Sequence, residues 1–311
     1  MTRVAAFDCG TNSLRLLVAD VDPGAGSLTE VEREMRIVRL GQGVDRTGQF
    51  APEALERTLA VTAEYATRCR ELGVERLRFV ATSATRDASN RAEFIDGVRE
   101  LLGVEPEVVP GSEEAQLSFE GATFELLADA VPGPFLVVDI GGGSTELVRG
   151  ETGVEAALSV DVGCVRLTER HLHTDPPTST EVEAARADVR AALDRVAEVV
   201  ALPGIRTVVG LAGSVTTVTA EVLGLNRYDP ERIHRAKMPV DAVREACDRL
   251  LHQTREQRAA RPYLHPGRVD VIGAGALVWR EVIDRVVAES GVTHVQASER
   301  DILDGIAFSL A

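Results

Sequence analysis

The chain has 311 residues, 44% of them apolar and 27% charged, a composition typical of soluble globular proteins and a length that favours two domains. Its formal net charge of −15 argues against nucleic-acid binding, and no apolar run approaches the roughly 18 residues that span a bilayer. There is no signal-peptide pattern and the four cysteines are dispersed, so we expect a cytoplasmic protein without disulfides or zinc.

The first half of the chain alternates strand and helix patterns. A strand–turn–strand unit comes first, and the hydrophobic spacing then predicts strands at 35–40, 76–81 and 108–109 and helices at 52–69, 91–102 and 113–127. Pro52 is suited to the first turn of its helix, and Gly103 to the end of another. The Pro-Gly-Pro run at 132–134 indicates a domain boundary.

The second half repeats this plan. Strands are predicted at 154–160 and 206–211, helices dominate 240–287, and a last helix covers about 300–310. Thr180 and Glu183 form a capping-box pattern that predicts the start of a helix ending near Val200. The alternation favours an α/β fold with domains at 1–128 and 129–298, and a C-terminal helix (299–311) that packs back on the first domain.

A glycine-turn motif occurs in both halves. In the first copy, a strand leads into Asp8-Cys9-Gly10-Thr11-Asn12-Ser13 and is followed by an apolar strand that contains Arg15. In the second, a strand leads into Asp139-Ile140-Gly141-Gly142-Gly143-Ser144-Thr145-Glu146. Glycine lets a backbone approach a ligand closely and turn its N–H groups toward an anion. The repeat therefore predicts two phosphate-gripping turns around one cleft.

Each turn combines N–H groups, short hydroxyls and a carboxylate. These groups can hold phosphates and a hydrated magnesium ion. The Rossmann and Walker A patterns are both absent from the sequence, so a dinucleotide or P-loop interpretation has no support.

The duplicated turn resembles the two phosphate motifs of the acetate and sugar kinase, Hsc70 and actin superfamily. Within it, the chain most resembles the exopolyphosphatase and guanosine pentaphosphate phosphohydrolase (Ppx/GppA) family. Besides the two turns, the stretches that carry this resemblance are Val80-Ala81-Thr82-Ser83-Ala84-Thr85-Arg86, Gly111-Ser112-Glu113-Glu114-Ala115 and Val209-Gly210-Leu211-Ala212-Gly213-Ser214-Val215-Thr216-Thr217. The resemblance implies two ribonuclease-H-like domains with mixed sheets flanked by helices, and an active site in the interdomain cleft.

The same resemblance implies magnesium-dependent release of terminal orthophosphate from inorganic polyphosphate. The implied catalytic residues are Glu114 as general base, Glu146 and Arg86. The implied metal ligands are Asp139, Glu146 and, more weakly, Asp8. The implied phosphate-binding residues are Gly10, Thr11, Asn12, Ser13, Arg15, Gly141, Gly142, Gly143, Ser144, Thr145, Gly213 and Ser214.

Several of these residues also have ordinary structural interpretations. Glu113 and Glu114 both begin a predicted helix, where carboxylates complement the helix dipole. Glu146 fits an exposed strand position, and Arg86 fits a surface ion pair. The basic cluster Arg227, Arg232, His234, Arg235 and Lys237 fits either a groove for a polyanion or a solvated face.

Alternatives to polyphosphate hydrolysis remain open at this point. They are hydrolysis of guanosine pentaphosphate, a kinase or ATP-driven protein of the same superfamily, and a sensor that binds a nucleotide alarmone. Longer family members carry a C-terminal HD-type helical domain that this sequence lacks, so we expect shorter polyphosphates as substrates. The family often forms dimers, so a homodimer is possible; no nucleic-acid or membrane partner is expected.

Overall fold

A computed structural model describes residues 1–22, 24 and 26–310 of the chain. The chain forms two compact units, the first made of Met1–Gly121 with Asp301–Ala311 and the second of Ala122–Arg300. Of the predicted C-terminal helix, Ala311 lies outside the described residues. No helix of the described chain is long and apolar enough to cross a membrane.

The first unit contains one mixed sheet. Its strands are β1 (Thr2–Cys9), β2 (Ser13–Asp22), β3 (Ser27–Ile37), β4 (Arg76–Ala81) and β5 (Glu107–Val108), in the order β3-β2-β1-β4-β5. β1 pairs antiparallel with β2, β2 antiparallel with β3, and β1, β4 and β5 run parallel. The helices in this part of the chain are α1 (Val44–Thr47), α2 (Pro52–Glu71), α3 (Ser83–Asp87), α4 (Arg91–Leu102) and α5 (Gly111–Ala128).

The second unit contains a six-stranded sheet. Its strands are β6 (Phe135–Ile140), β7 (Thr145–Gly150), β8 (Val154–Val160), β9 (Thr207–Leu211), β10 (Lys237–Pro239) and β11 (His294–Ala297), in the order β10-β11-β9-β6-β7-β8. The helices that follow are α6 (Cys164–His171), α7 (Ser179–Val199), α8 (Ala212–Val222), α9 (Pro230–Ile233), α10 (Val240–His252), α11 (Arg255–Ala259), α12 (Ile272–Ser290) and, in the first unit, α13 (Ile302–Phe308). A 3₁₀ turn covers Pro266–Arg268.

The two sheets share one plan. Each contains an antiparallel meander of three consecutive strands, β1-β2-β3 in the first sheet and β6-β7-β8 in the second. The first strand of each meander also begins a parallel row, β1-β4-β5 in the first sheet and β6-β9-β11 in the second. The second sheet adds only β10, antiparallel to β11 at its edge. Two mixed sheets of the same topology, flanked by helices, confirm the predicted α/β fold with a repeated core.

The first sheet is covered on both faces because alternate residues of β1 point to opposite sides. On one face Phe7 stacks on Phe79 with ring centroids 5.2 Å apart, and Phe94 of α4 meets Phe79 edge-on at 6.0 Å. On the other face α13 places Ile306 against Val4 and its apolar neighbours. Full burial of each such large side chain stabilises the folded state by about 1.5–3 kcal/mol, and this packing holds β1 and β4 in place.

The second unit has a larger continuous core. Helices α7, α8, α10 and α12 contribute to it, and Trp279 of α12 is fully buried within it. The sheet contributes Leu136, Val138 and Ile140 of β6 to the same core. Packing on both sides of β6 and β9 fixes the loops that follow these strands.

Two sequence predictions differ from the structure. The strand predicted at 35–40 is wrong in extent, because β3 runs over Ser27–Ile37. β3 is an edge strand in which five of the 11 residues are charged and none is buried, so hydrophobic alternation did not reveal it. The capping box is also shifted: Thr178, not Thr180, accepts from the Glu181 N–H, and the Glu181 side chain bonds back to Thr178.

Candidate active site

The first glycine turn is held in a fixed shape by its own backbone. The Gly10 N–H donates to the Ser13 carbonyl at 3.0 Å, and the Gly41 N–H donates to the Thr11 carbonyl at 2.9 Å. Thr11 is buried, and its hydroxyl has no hydrogen-bond partner among the described residues. Because an unmade buried hydrogen bond is costly, this hydroxyl is suited to an external acceptor or donor.

The second turn repeats this geometry. The Gly141 N–H donates to the Ser144 carbonyl at 3.0 Å. The start of α6 braces the turn, since the Cys164 N–H donates to the Gly141 carbonyl at 3.0 Å. A Cβ at Gly163 would lie 2.5 Å from the backbone of Gly142, so only glycine fits at this crossing. The predicted equivalence of the two motifs therefore extends to their hydrogen bonds.

The two hairpins differ in the residue that faces the aspartate. In the first, Arg15 lies directly opposite Asp8, and its guanidinium contacts the Asp8 carboxylate at 2.6 Å and also pairs with Asp301. Burial raises the pKa of the Asp8 carboxyl, an effect that Arg15 opposes. Asp8 therefore has an internal counter-ion, which makes it the weaker of the three candidate metal ligands.

In the second hairpin, Glu146 lies directly opposite Asp139. Both carboxylates are buried, at 1% and 7% exposure, and the Ser159 hydroxyl donates to Glu146 Oε1 at 2.6 Å. Like charges directly opposite each other on neighbouring strands are destabilising. A cation bound by both would offset that repulsion.

These residues meet the demands of a magnesium site. Magnesium in proteins is usually held by one or two carboxylates, with waters and substrate phosphates completing its shell. Asp139 and Glu146 supply two such carboxylates beside a glycine turn. The described residues contain no group of three or more acidic, histidine or cysteine side chains that could bind a metal, so a cage made only of protein side chains is absent there.

Glu114 and Arg86 are brought together at one edge of the first sheet. Since β1, β4 and β5 are parallel, the first glycine turn, α3 and the start of α5 all follow their carboxyl ends. Arg86 Nη1 donates to Glu114 Oε2 at 2.7 Å and to the Val109 carbonyl at 2.9 Å. Glu114 is 9% exposed, so its carboxylate is held in one orientation.

Glu113 has different surroundings from Glu114. It bonds to Arg78 at 2.5 Å, and Arg78 also holds Glu107. Its side chain is 42% exposed. Glu113 therefore has a surface structural role, unlike its buried neighbour Glu114.

The third glycine stretch lies at the carboxyl end of β9. Gly213 and Ser214 begin α8, and a Cβ at Gly213 would overlap the guanidinium of Arg268. The Arg268 guanidinium makes no hydrogen bond or ion pair with any described residue, although its backbone N–H donates to the His265 carbonyl at 2.9 Å. Sequence analysis missed it. The only local signal was a Pro266-Gly267 turn before a buried helix.

The model of the Ppx/GppA phosphatase family matches residues 17–309. The chain belongs to the Ppx/GppA phosphatase family. It is 51% identical to Exopolyphosphatase 2 of Mycobacterium tuberculosis over 318 aligned residues, covering 100% of this chain and 99% of that protein.

Solved structures agree with this assignment. An exopolyphosphatase-like protein is 46% identical with a TM-score of 0.95, and the alignment covers 99% of this chain and 97% of that one. The Ppx/GppA enzyme of Aquifex aeolicus is 31% identical with a TM-score of 0.81, and the alignment covers 99% of each chain. The whole two-unit fold is therefore that of the family.

The basic cluster of this Ppx/GppA family member is largely engaged in local ion pairs. His234 contacts Glu125 at 2.8 Å and Arg235 contacts Asp129 at 2.6 Å. Arg227 is 80% exposed and lies 3.9 Å from Asp229. Lys237 lies apart on the edge strand β10. Arg232 is exposed. His234 and Arg235 therefore have structural ion pairs, and Arg227 and Arg232 lie in solvent.

Proposed function

We propose that this chain is an exopolyphosphatase that releases terminal orthophosphate from inorganic polyphosphate in a magnesium-dependent reaction. The observation that carries the proposal is the buried Asp139–Glu146 pair beside a phosphate-type glycine turn. The similarity to Exopolyphosphatase 2 over the whole chain supports the substrate class. Divalent-metal dependence is general among such enzymes.

Asp139 and Glu146 would hold the magnesium ion. When bound, the ion would neutralise phosphate charge and polarise the attacking water. The Ser159 hydroxyl donates to Glu146 Oε1 at 2.6 Å and would help to orient this carboxylate as a ligand. Asp8 would contribute less to the metal site than Asp139 and Glu146, because its carboxylate already pairs with Arg15.

Glu114 would act as general base. A water oxygen forms a bond to the terminal phosphorus while the bond from that phosphorus to the bridging oxygen breaks, and the shortened chain leaves with the electron pair. Glu114 accepts the proton of the attacking water, a step typically worth ~10²–10⁴-fold in rate. Arg86 is a positioning residue, since its bonds to Glu114 and to the Val109 carbonyl fix the carboxylate.

The glycine turns and the unpaired guanidinium of Arg268 would bind the substrate phosphates. Backbone N–H groups and hydroxyls in a fixed turn stabilise phosphoryl charge without reorganising during the reaction. The partnerless hydroxyl of Thr11 and the hydroxyl of Ser144 add donors at the two turns. Arg268 adds a planar fork suited to phosphate.

The test measures orthophosphate release from polyphosphates of several defined lengths and from guanosine pentaphosphate, each with magnesium and with a chelator. We expect magnesium-dependent release from polyphosphate. Orthophosphate release from guanosine pentaphosphate but not from polyphosphate would show that the chain is a guanosine pentaphosphate phosphohydrolase instead. Release from neither substrate would refute the proposal.

A further inference from the structure

A cavity of about 430 Å³ lies in the second unit, away from the glycine turns. It is formed by the segment before β6, the first residues of β9, the start of β10 and the segment from Gly291 to Gln296. These are the amino ends of the parallel strands β6, β9 and β11, whereas the glycine turns follow their carboxyl ends. Six residues of β6 separate the two edges by about 20 Å.

The charge of this cavity is opposite to that of the chain. Arg206, Lys237 and His294 line it, and no acidic side chain is among its described lining residues. The protein as a whole has a net charge of −15, and most of its arginines contact carboxylates. A concave site with only basic charge in such a protein concentrates positive potential locally.

Its two permanent cations have no internal counter-ion. Neither Arg206 nor Lys237 forms an ion pair within the described parts of the chain, and both are exposed. The backbone beneath Arg206 is fixed, because its N–H donates to the Pro134 carbonyl at 3.0 Å and the Thr207 hydroxyl donates to the Pro132 carbonyl at 2.9 Å. The positive groups are thus carried on a rigid sheet edge.

A further polar residue, Gln296, lines the same cavity. Its side-chain nitrogen is buried and has no hydrogen-bond partner among the described residues. Gln296 lies directly opposite Lys237 in the β10–β11 pair, so the two residues are cross-strand neighbours. Unpaired donors and cations on three separate segments match an anion with several negative oxygens better than a single carboxylate.

We propose that this cavity is a second anion site that binds an oligophosphate, separate from the proposed catalytic residues. Its volume lies within the roughly 300–1,000 Å³ of small-molecule sites. The ligand chemistry is a linear chain of phosphates, which occurs both in inorganic polyphosphate and in a nucleoside triphosphate. The inference is independent of whether the chain hydrolyses polyphosphate.

Lys237 provides a direct test, because it is the only lysine of the chain. The rate of Lys237 acetylation in the Glu114→Gln protein is measured by peptide mapping, with and without tripolyphosphate. The acetylation rate of the N-terminal amine serves as the internal control. We expect tripolyphosphate to slow acetylation of Lys237 several-fold and to leave the N-terminal amine unchanged. Equal rates at Lys237 with and without tripolyphosphate would overturn the proposal.

A second measurement counts the sites. Calorimetry of tripolyphosphate binding to Glu114→Gln is compared with the same protein carrying Arg206→Ala and Lys237→Ala, and Arg232→Ala is the matched control. We expect the double substitution to remove one binding event that the control retains. Unchanged stoichiometry would contradict the inference. Both measurements are repeated with ATP to distinguish the two sources of a phosphate chain. Protection of Lys237 by ATP at a lower concentration than tripolyphosphate assigns the site to nucleotides. Protection by tripolyphosphate at the lower concentration assigns it to inorganic chains.

Discussion

Asp139 on β6 lies directly opposite Glu146 on β7, so two buried carboxylates share one face of the second hairpin. The equivalent pair in the first hairpin, Asp8 and Arg15, is an ion pair. The same turn therefore presents opposite charge balances in the two units. An arginine faces the aspartate in the first hairpin, whereas a glutamate faces it in the second.

This difference predicts a metal-dependent stability. Magnesium should raise the thermal midpoint of the wild-type protein, because a ligand that binds only the folded state stabilises it by about 2.7 kcal/mol at 100 times its Kd. Glu146→Gln should abolish most of that shift, since one of two charged ligands is lost. Scanning calorimetry with and without magnesium measures it, and Glu155→Gln on the exposed strand β8 is the control. An undiminished shift in Glu146→Gln would remove Glu146 from the metal site.

Glu114→Gln should fold normally and bind polyphosphate, but its kcat should fall by ~10²–10⁴-fold, because an amide cannot accept the water proton. Steady-state orthophosphate release measures the change. Glu113→Gln is the matched control on the neighbouring residue, whose partner is Arg78. Near wild-type turnover in Glu114→Gln would exclude Glu114 as the base.

Arg86 is expected to act through Glu114. Arg86→Lys should lower kcat more than it changes KM, because the shorter lysine side chain would not carry its ammonium to the position from which Arg86 Nη1 donates to both Glu114 and the Val109 carbonyl. In a Glu114→Gln background the same substitution should cost little more, since residues that act as a unit are not additive. A double-mutant cycle on kcat measures the coupling, and fully additive losses would show that the two residues act independently.

Arg268→Ala should raise KM for polyphosphate by about 10–100-fold, because hydrogen bonds to charged groups contribute about 1.5–3 kcal/mol. Its guanidinium lies over Gly213 without an internal partner among the described residues, so its removal should leave the thermal midpoint nearly unchanged. Arg255→Ala, whose side chain lies on the short helix α11, serves as the control. A KM equal to that of the control would place Arg268 outside the substrate site.

The start of α7 predicts a pH-dependent contribution to stability. Hydrogen bonds from Thr174, Thr178 and the nearby backbone lower the pKa of Glu181 to about 2. A carboxylate with a lowered folded-state pKa stabilises the protein above its unfolded pKa and loses that contribution as the pH falls through about 2. Glu181→Gln should therefore reduce the free energy of unfolding at pH 7, with a difference that narrows below about pH 4.5. Urea denaturation at several pH values measures this; a difference independent of pH would contradict it.

Part of this architecture was predictable from local sequence. Asp8 and Asp139 precede glycine turns in the same strand context, and that repetition indicated two copies of one core. β4 and α4 were predicted with the bounds observed, because apolar periodicity and a closing glycine define them. The proximity of Arg86 to Glu114 follows from the parallel order of β1, β4 and β5.

Other features depend on contacts that local patterns do not encode. Arg268 reaches Gly213 from more than fifty residues further along the chain, after three intervening helices whose packing the local sequence does not encode. β3 escaped prediction in its first half because its charged residues are tolerated only at a sheet edge. Thr180 and Glu183 have the spacing of a capping box, but the N-cap of α7 lies two residues earlier, at Thr178.

The proposed reaction removes one terminal phosphate at a time. Product analysis of a polyphosphate of single defined length, incubated with the wild-type protein and magnesium for less than one turnover, tests this step. We expect orthophosphate and a chain one phosphate shorter as the only products. Fragments from the middle of the chain, or no orthophosphate at all, would contradict it.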